Sequence, residues 1–399
     1  MLAPLRVGID VGCKRHRVGI ASSQGEVLEE FDLSHDQVGF AQLFARIEHH
    51  RGTDQRPVAV AMEGYNGYAR PLDQLIQQRG YTLYNVNNLK LARFKEVFPA
   101  PAKTDAIDTR KILELFQLKE HLPLAKEVLQ PVMPIPPIHA KLKRLSRRRR
   151  ELVQEKVRTA NRLQADLQAV CPELLQLAGK VDRLWFLRFL TCRKELRQLA
   201  RLQRSSLLKI AGVGRIFAAK IQHWQEKAHF SAEVDYVGPM IQADALRMLD
   251  LVEQIKALDG AMEKLAQNSA MAQRLRSIPG FGPTCAAELT GEIGTLQRFA
   301  SEASLALYLG MCPLSDDSGQ CQGSRQPRQV NGRAKAAMMV AVARHMEQVP
   351  QSRAYYDKKR AQGKKHNQAI RALGRQLVRV MYAMLSYDRD YELREVTPL

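Results

Sequence analysis

Residues 6–12 read RVGIDVG, a run with the two-residue period of a β-strand. Val7, Ile9 and Val11 fall on one face, and Gly8, Asp10 and Gly12 on the other. One face is apolar; the other carries a carboxylate between two positions without side chains, which leaves room for ions beside Asp10. On either side of this run the same logic continues. RVGIASS (17–23) and EVLEEFDLS (26–34) are strand-like and joined by short polar turns, and a helical stretch follows from Gln37 to His50. VAVAMEG (58–64) places Ala59, Ala61 and Glu63 on one face, with Glu63 at the carboxyl end of the strand, where open α/β sheets bind ligands. A helix near Tyr68–Arg79, the strand TLYNVNN (82–88) and a helix opening at Thr104 complete the series.

Three antiparallel strands followed by α/β alternation point to a ribonuclease H-like sheet. Asp105 and Asp108 lie three apart at the start of the last helix, with Thr104 as its N-cap, so both project from one face. Acidic residues favour helix N-termini for electrostatic reasons alone. The pattern of four, Asp10, Glu63, Asp105 and Asp108, is what points to a metal site. Carboxylate oxygens suit hard Mg²⁺, and two such ions can stabilise both the attacking and the leaving oxygen of a phosphodiester.

Composition agrees with a polyanionic substrate. The 399 residues carry 61 Lys and Arg against 41 Asp and Glu, a formal net charge of +20, which favours DNA or RNA as partner. A membrane is not implied: no run of eighteen apolar residues occurs, and the chain enters its first strand without a signal-like segment. The six cysteines form no CxxC pair, which argues against structural zinc and disulfides and for a reducing cytoplasm. At this length and 45% hydrophobic content, more than one core is expected.

Beyond the first domain, assigned to 1–120, the proline-rich stretch 121–137 reads as a linker. Residues 138–275 read as a helical, coiled-coil region with 180–240 unassigned, although Ile210-Ala211-Gly212-Val213-Gly214 within it could form a hairpin turn. Val153, Val157, Ala160, Leu167 and Leu174 suggest a 3.5-residue seam interrupted by Gln164 and Cys171, and a second helix-rich stretch, 244–275, could pair with it as an arm. KLKRLSRRRR (141–150) has seven cations in ten positions and no acid, so Arg147, Arg148, Arg149 and Arg150 are expected to meet a nucleic-acid backbone, as is the basic stretch from Lys358 to Lys365. Residues 276–385 form a further, mostly helical domain. Ile278-Pro279-Gly280-Phe281-Gly282 fits a helix-hairpin-helix turn, in which Gly280 and Gly282 let backbone N–H groups approach a phosphate. The loop from Pro313 to Arg333 holds Ser315, Ser318 and Ser324 among acids and cations, including Arg325, Arg328 and Arg333. Read without further information it is an ordinary polar loop.

GIDVG, AMEG and KTDAIDTRKI, and independently SIPGFGPTCAAELTGEIG, NGRAKAAMMVAVARH and YYDKKRAQGKKHNQAIRALGRQL, resemble the DEDD transposases of bacterial insertion sequences, the IS-one-ten and IS-eleven-eleven group. The likeness covers roughly residues 5–115 and 245–385. It implies a RuvC-like N-terminal domain holding Mg²⁺ through Asp10, Glu63, Asp105 and Asp108. It also implies a second domain whose serine-glycine pair, Ser318-Gly319 here, supplies a nucleophile with the acidic site nearby. A structured guide RNA from the element, with donor and target DNA, follows from the same resemblance; the helical arm is expected to assemble a homo-oligomer (dimer or tetramer), nucleoid-associated in the bacterial cytoplasm. The alternative is a RuvC-like structure-specific endonuclease that hydrolyses with metal-activated water. A sugar kinase of the actin-like type shares the GIDVG run but lacks its second phosphate loop here, and a purely architectural binder leaves four carboxylates without a use.

Overall fold

The computed structural model describes residues 3–63, 70–97, 104–121, 128–315, 324–325, 327 and 330–393. It separates into two compact units, Met1–Pro134 and Ile135–Leu399. In the first, β1 (Leu5–Val11), β2 (Arg15–Ala21) and β3 (Val27–Ser34) lead into α1 (Gln37–Arg51); β4 (Val58–Met62), α2 (Arg70–Gln78), β5 (Thr82–Val86), α3 (Asn88–Val97), α4 (Asp105–His121) and β6 (Leu129–Pro131) follow. The sheet order is β3-β2-β1-β4-β5-β6. β1–β2 and β2–β3 are antiparallel, β1–β4 and β4–β5 parallel, and β5–β6 antiparallel. This is the α/β arrangement expected of a ribonuclease H-like domain.

The alternation in RVGIDVG and VAVAMEG divides the core in two. Val7, Ile9, Val58, Val60 and Met62 pack with Phe40, Leu43 and Ile47 of α1 and Leu72 and Ile76 of α2. Ala59 and Ala61 face the other way, onto Ile112, Leu115 and Phe116 of α4 and Leu91 of α3. Small residues on that face let a helix lie close to the strands.

The segment 121–137 is more than a linker. Its residues 129–131 form β6, pairing Tyr84 with Pro131 and Val86 with Leu129. Three residues ending in proline are too short to announce a strand, and an edge position tolerates the missing N–H.

In the second unit, α5 (Pro137–Val170), α6 (Pro172–Ala178), α7 (Leu184–Thr191), α8 (Arg204–Leu207), α9 (Arg215–Gln225) and α10 (Val234–Gln267) precede α11 (Ala270–Ser277), α12 (Pro283–Ile293) and α13 (Glu302–Tyr308). The two-residue strands β7 (Leu314–Ser315) and β8 (Ser324–Arg325) pair antiparallel, and α14 (Gly332–Gln348), α15 (Pro350–Ala361) and α16 (His366–Ser386) close the fold. The stretch 180–240 builds a core of its own, with Phe186, Phe189 and Trp224 packed against the end of α5 and the start of α10. A second core joins α11–α14 and α16.

The long helices α5 and α10 pack side by side. Ion pairs join Arg149 to Asp259, Glu155 to Arg247 and Arg162 to Asp244, one number rising as the other falls, so the helices run antiparallel. Their contact face differs from the expected seam. Leu152, Thr159, Leu163, Leu167 and Val170 are buried on α5, whereas Val157 is 54% exposed. Thr159 takes a core position that a search for apolar periodicity passes over.

Three of the arginines 147–150 find their counter-charges on other helices of the protein. Arg147 makes a two-pronged pair with Glu292 (2.7 and 2.9 Å), Arg149 binds Asp259, and Arg150 binds Glu288 at 2.6 and 2.8 Å. Arg148 stays exposed, 3.6 Å from Glu151 on its own helix. For Arg147, Arg149 and Arg150 the acids missing from the local sequence arrive from α10 and α12. Burial drives both α12 carboxyls upward. For Glu292 the hydrogen bonds from Arg147 and Asn331 outweigh it and hold the carboxyl below the usual range, whereas Glu288 stays above its ordinary value despite Arg150. Arg147→Gln would strand a carboxylate with no solvent exposure, and should cost about 3–5 kcal/mol. Arg148→Gln should change stability by under about 0.5 kcal/mol. Paired thermal melts of the two variants check this; equal melting temperatures would contradict it.

Candidate active site

The acidic site begins with the register of β1 and β4. Ile9 pairs with Met62, and the Glu63 N–H donates to the Ile9 carbonyl at 3.3 Å, which sets Glu63 beside Asp10 at the carboxyl ends of the two parallel strands. Asp105 and Asp108 come from α4. Thr104 caps that helix, its hydroxyl accepting the Ile107 N–H at 3.3 Å.

The glycines do not leave open space. Gly8 pairs with Gly19 across β1 and β2, and α4 lies on both: a Cβ at Gly8 would stand 3.2 Å from the Thr109 carbonyl oxygen and 3.1 Å from Leu113. A Cβ at Gly12 would meet the Arg15 carbonyl oxygen at 2.3 Å. The expected gap for ions is thus filled by helix and by turn. Its purpose is a close approach that brings the first turn of α4 over the end of β1. Two ion pairs fix the position of the helix. Arg110 grips Glu30 of β3 with bonds of 2.6 and 2.9 Å, and Arg6, 2% exposed, reaches Glu120 at 2.6 Å.

The result is electrostatically tense. Asp10 is half-buried, and its carboxyl is pushed up to about 6, first by burial and then by the charges of Glu63, Asp108 and Asp105; Lys95 acts in the opposite direction. Lys95, on α3, places its ammonium 2.9 Å from Asp108 Oδ1. Sequence reasoning missed it, since a single lysine in LARFKEV carries no signal. As the side chains stand, no three His, Cys, Asp or Glu among the described residues form a group that could hold a metal ion. The donors nevertheless fit a hard divalent cation, being carboxylate oxygens whose charges act together on Asp10. Asp108 would have to leave Lys95 to join them.

The remaining expected site residues belong to the second unit. Gly280, at φ 85°, turns the chain between α11 and α12 against α14, where a Cβ would meet the His345 nitrogen at 2.4 Å. Gly282 is the N-cap of α12 and has nothing within 4 Å of where its Cβ would be. Arg333 is exposed in the first turn of α14. Arg325 lies on β8, and its side chain is outside the described residues, as are Ser318, Arg328 and the whole of 316–323. The chain just after this segment is firmly held. Asn331 caps α14 and donates to Glu292 Oε2 and to the Tyr308 hydroxyl, both at 2.7 Å. Glu288 and Glu292, four apart on the largely buried helix α12, are the sequence signal for this anchor; buried acids imply basic partners.

Comparison with known proteins covers both units. Residues 7–172, which include all four carboxylates, match the model of the IS110-type DEDD transposases, and residues 272–357 match that of the transposase IS116/IS110/IS902 family. The insertion element IS110 uncharacterized 43.6 kDa protein of Streptomyces coelicolor is 27% identical, over 97% of this chain and 95% of the relative. The insertion element IS116 uncharacterized 44.8 kDa protein of Streptomyces clavuligerus is 27% identical, over 96% and 95%. The insertion element IS900 uncharacterized 42 kDa protein of Mycobacterium paratuberculosis is 26% identical, over 96% of each chain. With both family models matched in order, and with similarity running almost from end to end, the chain belongs to the IS110/IS116/IS902 family of insertion-element transposases, enzymes that cut and rejoin DNA.

Proposed function

We propose that this transposase recombines DNA through Ser318, with Mg²⁺ held by Asp10, Glu63, Asp105 and Asp108, and that a structured RNA from its own element selects the DNA partners. The observation that carries the acidic site is the β1–β4 register, which sets Glu63 beside Asp10 at the carboxyl ends of the two strands; burial raises the Asp10 carboxyl, and the charges of Glu63, Asp108 and Asp105 add to it. Family membership implies dependence on a divalent metal. Mg²⁺ ions there, two in this reading, would supply Lewis-acid stabilisation of charge on the phosphate oxygens.

The chain's own part is a transesterification. The Ser318 oxygen bonds to phosphorus as the bond to a deoxyribose oxygen breaks, the serine proton passing to a base and the leaving oxygen taking up a proton. The phosphodiester is conserved in the protein–DNA link, so attack by a new strand's hydroxyl rejoins DNA without an external energy source. Cations that follow Ser318 in the loop, Arg325, Arg328 and Arg333, would offset charge developing on the phosphate. The open side of the Gly282 turn and exposed Arg148 are suited to backbone phosphates, and α5 and α10 to assembling a homo-oligomer on the nucleoid of a bacterial cytoplasm. No helix among the described residues is long and apolar enough to cross a membrane.

The guide is tested by sequencing RNA retained through purification at moderate salt. One discrete, structured species encoded next to the protein is expected. Heterogeneous RNA, at the level held by an unrelated basic protein, would contradict the guide and favour the endonuclease reading.

A further inference from the structure

A cavity of about 360 Å³ opens where Gly310–Pro313 meets α15 and α16. Lys359 and Lys364 reach it from α15 and the following turn, and Arg371 and Arg375, four apart, from one face of α16. Among the described residues no acid lines it. Arg375 is held by Glu302, and Lys359 bonds to Gln362 and lies 5.4 Å from the Tyr355 ring centre. No ion pair joins Lys364 or half-buried Arg371 to any described residue. Cations gathered in one concavity repel one another, and a partly desolvated guanidinium without a carboxylate is costly unless an anion completes it. The cavity exceeds what an inorganic anion needs and has the forked donors that match phosphate oxygens. One of its walls, Gly310–Pro313, leads within five residues to Ser318.

We propose that this cavity is a phosphate subsite for the DNA strand undergoing cleavage, with Lys364 and Arg371 seating backbone phosphates beside the attacked one. DNA is favoured over RNA because this chain segment leads into the serine loop, an assignment that rests on the serine reading above.

The test is binding of a short fluorescein-labelled DNA duplex to the full-length protein in metal-free buffer over a salt series. The Lys364→Gln/Arg371→Gln protein should lose about two units from the slope of log affinity against log salt, at close to 0.9 per contact, while melting no lower than wild type. Ala372→Glu, which adds a carboxylate to the same wall, should weaken DNA binding while melting no lower than wild type. It serves if the double variant folds poorly. An unchanged slope and affinity in these proteins would overturn the subsite, as would a loss confined to a single-stranded RNA probe. Binding is read without chemistry, so failure of Ser318 as nucleophile would leave this result standing, and an unchanged slope would remove the cavity without touching Ser318.

Discussion

Asp10→Asn should abolish strand cleavage and, in metal-free buffer at neutral pH, make the protein more stable than wild type. The loss of cleavage should be at least about 10²–10³-fold, the scale of removing one group that stabilises transition-state charge. The gain in stability follows from the direction of the Asp10 shift. Its folded-state value of about 6 lies above the ordinary 3.8, so the native state holds its proton more tightly than the unfolded chain. Stability is therefore lost as pH rises from 3.8 to 6, and the penalty stays constant above that window. Asparagine escapes it. Melts in chelator should show Asp10→Asn above wild type at pH 7.5 and the difference closing near pH 4. Added Mg²⁺ should raise the wild-type melting temperature and leave the variant's nearly unchanged, because cation binding to the native state stabilises it. In the same series Lys95→Met should tighten divalent-metal binding, since it releases Asp108 from its ammonium. Asp10→Asn melting at or below wild type in chelator would refute an electrostatically tense site.

Much of the first unit was legible because its information is local. The alternation in RVGIDVG and VAVAMEG fixes which residues face α1 and which face α4, and each carboxylate sits at an element end that sequence can locate. What the carboxylates meet was not legible. The Gly8–Gly19 trough reads as empty until α4 is laid in it, and Lys95 becomes relevant only because α3 packs beside α4. Arg147, Arg149 and Arg150 look unbalanced for the same reason, their acids being more than a hundred residues away. The α5 face lies off the apolar period because polar Thr159 takes a core position and Val157 does not, and β6 is hidden among prolines.

Ser318→Ala should abolish both the protein–DNA adduct and strand exchange, while Ser315→Ala and Ser324→Ala retain them. The expectation rests on the serine-glycine pair at 318–319 and on the chemistry of rejoining. A covalent serine link conserves the phosphodiester, whereas hydrolysis by water discards it. Ser315 and Ser324 lie opposite each other in the short β7–β8 ladder, on either side of the segment that holds Ser318. In the proposed mechanism the acidic site and the serine act in one transfer step, so Asp10→Asn should also lose the adduct. A polar loop without a catalytic role would show no such coupling.

The most direct measurement is a denaturing gel of labelled DNA incubated with Mg²⁺, the proposed guide RNA and each protein in turn. Wild type, Ser315→Ala and Ser324→Ala are predicted to give a labelled species migrating with the protein, and Ser318→Ala and Asp10→Asn to give none. An adduct formed by Ser318→Ala, or recombination by wild type with no adduct at any time, would contradict the account.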